Sequence, residues 1–157
     1  MIRAAVLLLA LGAGPATAAD CAPDRLDLRG AWGSARFSVE LADSERERAR
    51  GLMHRDSLAA SQGMLFVYDT PGKPAFWMKN TLIPLDMLFV TPEGEVAHVH
   101  ENAIPGDLTP IDGGDGILAV LEIKGGLAAA MRISVGSELR HPAFDQSLAL
   151  WACDTTD

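Results

Sequence analysis

Residues 34–41 alternate cleanly. Ala35, Phe37, Val39 and Leu41 face one way and Arg36, Ser38 and Glu40 the other, which predicts a half-buried strand. Directly after it, Ser44-Glu45-Arg46-Glu47 has the spacing of a capping box. A short charged helix should start there and stop at Gly51, where a residue without a Cβ can end the turn. Residues 63–68 (Gly63, Met64, Leu65, Phe66, Val67, Tyr68) read as a strand covered on both faces. Asp69-Thr70-Pro71-Gly72 predicts a turn. Further strands are expected at 75–78 and 84–91, and Pro92-Glu93-Gly94 should turn the chain into another at 95–100. Residues 102–116 are rich in Gly, Pro and Asp without a period, which predicts a long exposed loop. A core strand at 117–123, a short helical piece at 127–132 opened by Gly125-Gly126, and a last strand at 138–141 complete the pattern. Many short strands with two short helices, and no internal repeat, predict a mainly β chain. The expected form is a compact β-sandwich or barrel-like single domain.

The first residues change the picture of where the domain begins. Arg3 is the only charge before Asp20, residues 4–13 are Ala, Val, Leu and Gly, and Ala16-Thr17-Ala18 offers small residues for cleavage. That layout is a secretory leader, so residues 1–18 are expected to be removed, leaving 19–157 as one exported domain, periplasmic or extracellular. The apolar run is too short for a membrane span, which needs about 20 residues. Formal net charge is −8 with the leader's arginine included, and an acidic surface repels nucleic acid and anionic lipid, so neither is expected as a partner. The two cysteines, Cys21 and Cys153, stand near the two ends of the exported chain. In an oxidising compartment they should form a structural disulfide.

Candidate chemistry lies where charges interrupt apolar runs. In 84–90, Asp86 shares a face with Leu88 and Val90; in 117–123, Glu122 shares one with Val120 and Lys124. A carboxylate taken from water needs a cation or several donors, or it takes up a proton. Asp86 is expected to pair with a cation, and Arg50, Arg55, Lys79 and Lys124 are at hand. If the strand at 75–78 continues, Trp77, Lys79 and Thr81 share a face, with Asn80 adding an amide. An indole wall beside a few directed polar groups is a common pocket lining. Two readings of Asp86 and Glu122 stay open: buried ion pairs that set the register of the core, or polar members of a ligand pocket. A third has them as the acid and base of a glycan-directed hydrolase, which depends on their separation.

Other signals add little. His98 and His100 fall on one strand face without further ligands, the methionines sit among apolar neighbours, and Asp107, Asp112 and Asp115 lack the spacing of a calcium loop. No phosphate-binding glycine loop, nucleophile elbow or zinc-protease motif occurs. No metal or other cofactor is expected.

Four blocks carry a family likeness: RGLMHRDSL (50–58), GMLFVY (63–68), FWMKNTLIPLDMLFV (76–90) and VLEIKGG (120–126). In that order they resemble the domain-of-unknown-function family 192, over about residues 35–141. The resemblance implies a compact β-rich fold, sandwich- or barrel-like, with short helices, in a family that is often exported and has no established activity. Its characteristic polar positions fall on Arg50, Arg55, Lys79, Asn80, Asp86 and Glu122. The leading expectation is a binding or accessory module for a small polar or anionic ligand, held by Arg50, Arg55, Trp77, Lys79, Asn80, Thr81, Asp86 and Glu122. The alternatives are the hydrolase using Asp86 and Glu122, and a protein-partner module using the loop 102–116.

Overall fold

In the computed structural model, residues 21–155 are described; the expected leader lies outside them. The elements run β1 (Arg25–Gly30), β2 (Gly33–Ala42), α1 (Glu45–Arg50), β3 (Gln62–Gly72), β4 (Ala75–Phe76), β5 (Leu85–Val90), β6 (Val96–Ala103), β7 (Ile111–Asp112), β8 (Ile117–Lys124), α2 (Leu127–Met131) and β9 (Glu138–Arg140). Seven strands form one sheet in the order β6-β5-β8-β3-β2-β1-β9, and β4 pairs with β7 in a second, two-stranded sheet. The large sheet curls into a half-barrel. Its two edges meet at one corner, where Val96 N–H donates to Ser137 O (2.8 Å) and Gly136 N–H to Val96 O (2.9 Å).

Local chemistry accounts for most of these elements. Ser44 caps α1 by accepting from the Glu47 amide, and the Glu47 carboxylate reaches back to the Ser44 amide at 3.1 Å. The helix ends at Gly51, whose φ of 48° suits a residue without a Cβ. Because α1 carries the chain back across, β2 and β3 pair in parallel, whereas the other pairings within the large sheet are antiparallel.

The sheet has apolar cover on both faces. Leu26, Phe37, Leu65, Leu88, Leu121 and Leu139 pack inside the curl, together with Ala128 of α2. On the outer face of the central strands, Met64, Phe66, Met87, Phe89 and Val120 pack under Leu52, Leu58 and Met78 from the segments that cross them. That double cover is why β5 is buried along its whole length.

Several expectations are corrected. The expected turn at 69–72 belongs to β3, which runs to Gly72 with an irregularity in its pairing after Val67. The strand expected at 75–78 stops at Phe76. The loop 102–116 is not structureless: β6 extends to Ala103, β7 pairs with β4, and the turn between them docks on Met78 through Gly106 N–H to Met78 O (3.0 Å). Strand β1 lacked a clean signal because Arg25, Asp27 and Arg29 alternate with only two leucines.

That strand brings a buried carboxylate the sequence reading passed over. Asp27 accepts from Arg36 (2.6 Å) of β2 and from Arg140 (2.9 Å) of β9, directly opposite it in both pairings. Burial works to raise its pKa, but the two guanidiniums prevail and hold it below the usual carboxylate value. Cys21 and Cys153 are bonded, with Cα atoms 5.6 Å apart although they stand 132 positions apart in the chain.

Candidate functional site

Asp86 and Glu122 lie on neighbouring antiparallel strands, but Asp86 stands opposite Ile123 and Glu122 opposite Met87. Residues directly opposite share a face, so the two carboxylates project from opposite sides of the sheet. The acid–base pair read from the sequence is therefore not formed. A one-residue offset across the ladder separates them.

Asp86 faces the interior and is fully buried. It was expected to meet a cation; instead it accepts three backbone N–H groups, from Asn102 (2.7 Å), Gly126 (2.9 Å) and Ala128 (2.7 Å). Gly126 and Ala128 open α2, whose first amides have no partner within the helix. Asn102 sits at φ 57° near the end of β6. One side chain thus ties the start of α2 and the end of β6 to β5, which makes Asp86 a scaffold residue.

Glu122 faces outward and is only 4% exposed. Its neighbours in register are Met64 of β3 and Met87 of β5, so the strands beside it offer no polar side chain. No hydrogen bond or ion pair reaches its carboxyl among the described residues, and burial pushes it up to about 8. At neutral pH it is therefore mainly the uncharged acid, able to donate one hydrogen bond and accept others.

It forms part of the wall of an open cleft of about 290 Å³. One side of the cleft is the end of α1, with Arg48 and Arg50, running into Leu52 and Met53. The floor includes Phe66 and Tyr68 of β3, and the far side is Phe76, Trp77 and Thr81. Arg48 is committed: its guanidinium donates to Asp43 O and to Val67 O (2.8 Å) and lies 5.0 Å over the Tyr68 ring. Tyr68 itself is pushed up by burial and by Glu122, against Arg48, so it stays un-ionised. Arg50 is exposed in the cleft with no hydrogen-bonded partner among the described residues, though it lies near enough to Glu40 to help lower that carboxylate's pKa.

The Trp77 segment reaches the cleft by a turn and not by strand alternation. Thr81 N–H donates to Met78 O (3.1 Å), and Asn80 adopts φ 54°, a conformation that asparagine tolerates better than most residues. Its carbonyl receives the His54 amide at 2.9 Å, joining this turn to the segment after α1. Lys79 is exposed and stacks 5.0 Å over Trp77.

Of the eight residues read as ligand-binding, Arg50, Trp77, Thr81 and Glu122 line the cleft, and Lys79 joins it through Trp77. Asn80 serves the turn. Arg55 lies elsewhere, forked onto Glu40 at 2.5 and 2.6 Å, a pair that lowers the Glu40 pKa and raises that of Arg55. Arg48, Tyr68 and Phe76 were not singled out from the sequence. The places of Arg48 in the charged turn before Gly51 and of Tyr68 at the end of the 63–68 run are the signals that could have found two of them.

A second cleft, of about 440 Å³, lies by Asp27, Arg36, Arg140 and Trp151. Its charged groups already serve one another, and the guanidiniums of Arg29 and Arg140 each lie 4.3 Å from the Trp151 ring.

Known proteins agree with the fold. A crystal structure of a protein of unknown function from Novosphingobium aromaticivorans DSM 12444 is 42% identical, with TM-score 0.72, covering 73% of this chain and 82% of that one. A crystal structure of a putative transcription regulator from Sinorhizobium meliloti 1021 is 36% identical, with TM-score 0.75, covering 80% of this chain and 98% of that one. No curated protein matches. The model of the DUF192 family, described as "Uncharacterized ACR", matches residues 28–141, and this chain belongs to that family.

Proposed function

We propose that this chain is an exported small-ligand-binding module whose site is the cleft walled by Arg50, Tyr68, Trp77 and Glu122. The observation that carries the reading is Glu122. A carboxyl group buried among methionines and aromatics without a partner costs several kcal/mol relative to one in water, and an apolar residue there would avoid that cost. Its placement in the wall of an open cleft, beside an indole that is 49% exposed, is what a ligand's polar group would offset. Export is supported by the disulfide, which persists in oxidising compartments, together with the leader-like start of the chain. Among the described residues, no helix is long and apolar enough to cross a membrane.

The hydrolase alternative loses its chemical basis once Asp86 is engaged by three amides on the opposite face of the sheet. The regulator role suggested for the Sinorhizobium meliloti protein is not carried over, because a chain of net charge −8 repels DNA.

The test is a set of melting curves with glucose, N-acetylglucosamine, glycine, benzoate and benzylamine, each in excess. A ligand that prefers the folded state raises the melting temperature. At least one compound should stabilise the wild type and do so much less in Trp77→Ala and Glu122→Leu. No stabilisation by any of them, or stabilisation equal in both variants, overturns the reading.

A further inference from the structure

We infer that the ligand of this cleft is a small oxyanion, a carboxylate carried on a flat apolar body, received by the Glu122 carboxyl within the cleft and by Arg50 at the mouth. The inference rests on the cleft being a binding site and names the chemistry it selects.

The charge census of the walls comes first. The ionisable residues lining the cleft are Arg48, Arg50, Tyr68 and Glu122, and Lys79 adds an ammonium over Trp77. Tyr68 stays neutral, and no other carboxylate lines the cleft. With Glu122 as the uncharged acid, the site is a positive spot on a chain whose net charge is −8. A ligand cation would meet the arginines and would have to ionise a carboxyl that burial keeps protonated.

The aromatic faces point the same way. Tyr68 already carries the Arg48 guanidinium and Trp77 the Lys79 ammonium, both at 5.0 Å. The rings that would attract an ammonium through cation–π contact are occupied by the protein's own cations. Phe66 and Phe76, edge-on at 5.1 Å, leave apolar surface for a flat ligand body.

Hydrogen-bond chemistry completes the match. An uncharged carboxyl has one O–H to donate, and a ligand carboxylate is acceptor-only, so the two form a strong charge-assisted bond. Arg50, exposed in the same cleft, offers a planar fork of donors to the ligand carboxylate. Met64 and Met87 flank Glu122 on the neighbouring strands, Tyr68 is the ionisable side chain that feels it, and Arg48 and Arg50 line the same cleft from α1. None of them is an acid that would hold the proton away from the ligand. Above the pH at which Glu122 ionises, binding must take up a proton, and affinity falls by a factor approaching ten per pH unit.

Calorimetry with three probes of one shape tests this: benzoate, benzyl alcohol and benzylamine. Benzoate should bind the wild type at pH 6.5 at least tenfold more tightly than the other two. Its affinity should fall about fivefold between pH 8 and pH 9, with proton uptake seen as a dependence of the heat on buffer. Glu122→Gln keeps a donor that does not titrate, so its benzoate affinity should stay level from pH 6.5 to 9. Arg50→Met should lose about tenfold. Preference for benzylamine, or for benzyl alcohol, overturns the oxyanion assignment while leaving the cleft a binding site. Absence of binding by all three overturns the assignment as well, and the sugar and glycine melts decide whether the site itself stands. A wild-type affinity for benzoate that is flat through pH 9 removes the role of the Glu122 proton.

Discussion

A carboxyl group with no hydrogen-bonded partner among the described residues makes Glu122 a source of pH-dependent stability. In the folded chain burial pushes it up to about 8 from a reference value of 4.5. Below pH 4.5 it is protonated in both states and adds no pH-dependent cost. Between 4.5 and 8 only the unfolded chain ionises, so stability declines as pH rises, and above 8 the loss is complete. The full swing is on the order of 5 kcal/mol. Glu122→Gln cannot ionise, so its stability advantage over the wild type should grow between pH 4.5 and 8 and then level off. Urea melts across that range check this; a constant difference means that the folded carboxyl is ionised. Asp86 should behave differently, because its three amides need an acceptor at each oxygen. Asp86→Asn puts a donor against donors and should cost about 3 kcal/mol. An unchanged denaturation midpoint would show that those amides find other partners. Lys79 is exposed, so Lys79→Met should change the unfolding free energy from the same melts by less than about 1 kcal/mol.

Elements in this fold are joined by polar side chains as well as by ladders. Asp86 binds α2 and the end of β6 to β5, and Asp27 binds β1 to β2 and β9. Arg140 is 3% exposed, so Asp27→Ala withdraws the carboxylate from a buried guanidinium and should cost about 3 kcal/mol. Because the folded Asp27 pKa lies below its ordinary 3.8, its contribution is present above that value and is lost as pH falls through the lower one. Acid melts of wild type and Asp27→Ala should therefore converge; a gap that persists at the lowest pH would assign the cost to packing. The capping box of α1 and its stop at Gly51 were legible in advance because both are local, set within four residues. The end of β4 was not: Phe76 to Thr81 leaves the extended state because Asn80 must turn the chain back beneath His54.

Across the whole molecule, the Cys21–Cys153 bond closes 132 positions of chain. Cross-linking a loop of that size removes much unfolded-state entropy, and its loss costs about 2–5 kcal/mol. The Cys21→Ser, Cys153→Ser double variant should fold, since both apolar layers remain, but unfold at lower denaturant by that amount. A variant as stable as the wild type would mean that the termini are held by the β1–β9 pairing alone.

Periodicity, capping and turn chemistry act over a few residues, so the strands at 34–41, 84–91 and 117–123, the helix after Ser44 and the mainly β character could be read in order along the chain. The same alternation correctly marked Asp86 and Glu122 as carboxylates on apolar faces. Which face of the sheet each one meets depends on register between strands far apart in sequence, and on which face the later segments cover. That arrangement gave Asp86 to three amides inside the curl and left Glu122 without a partner among the described residues, in a cleft shared with an arginine contributed by α1 and a tryptophan contributed by a turn. Contacts of that kind are set by packing between distant segments, and no spacing along the chain records them.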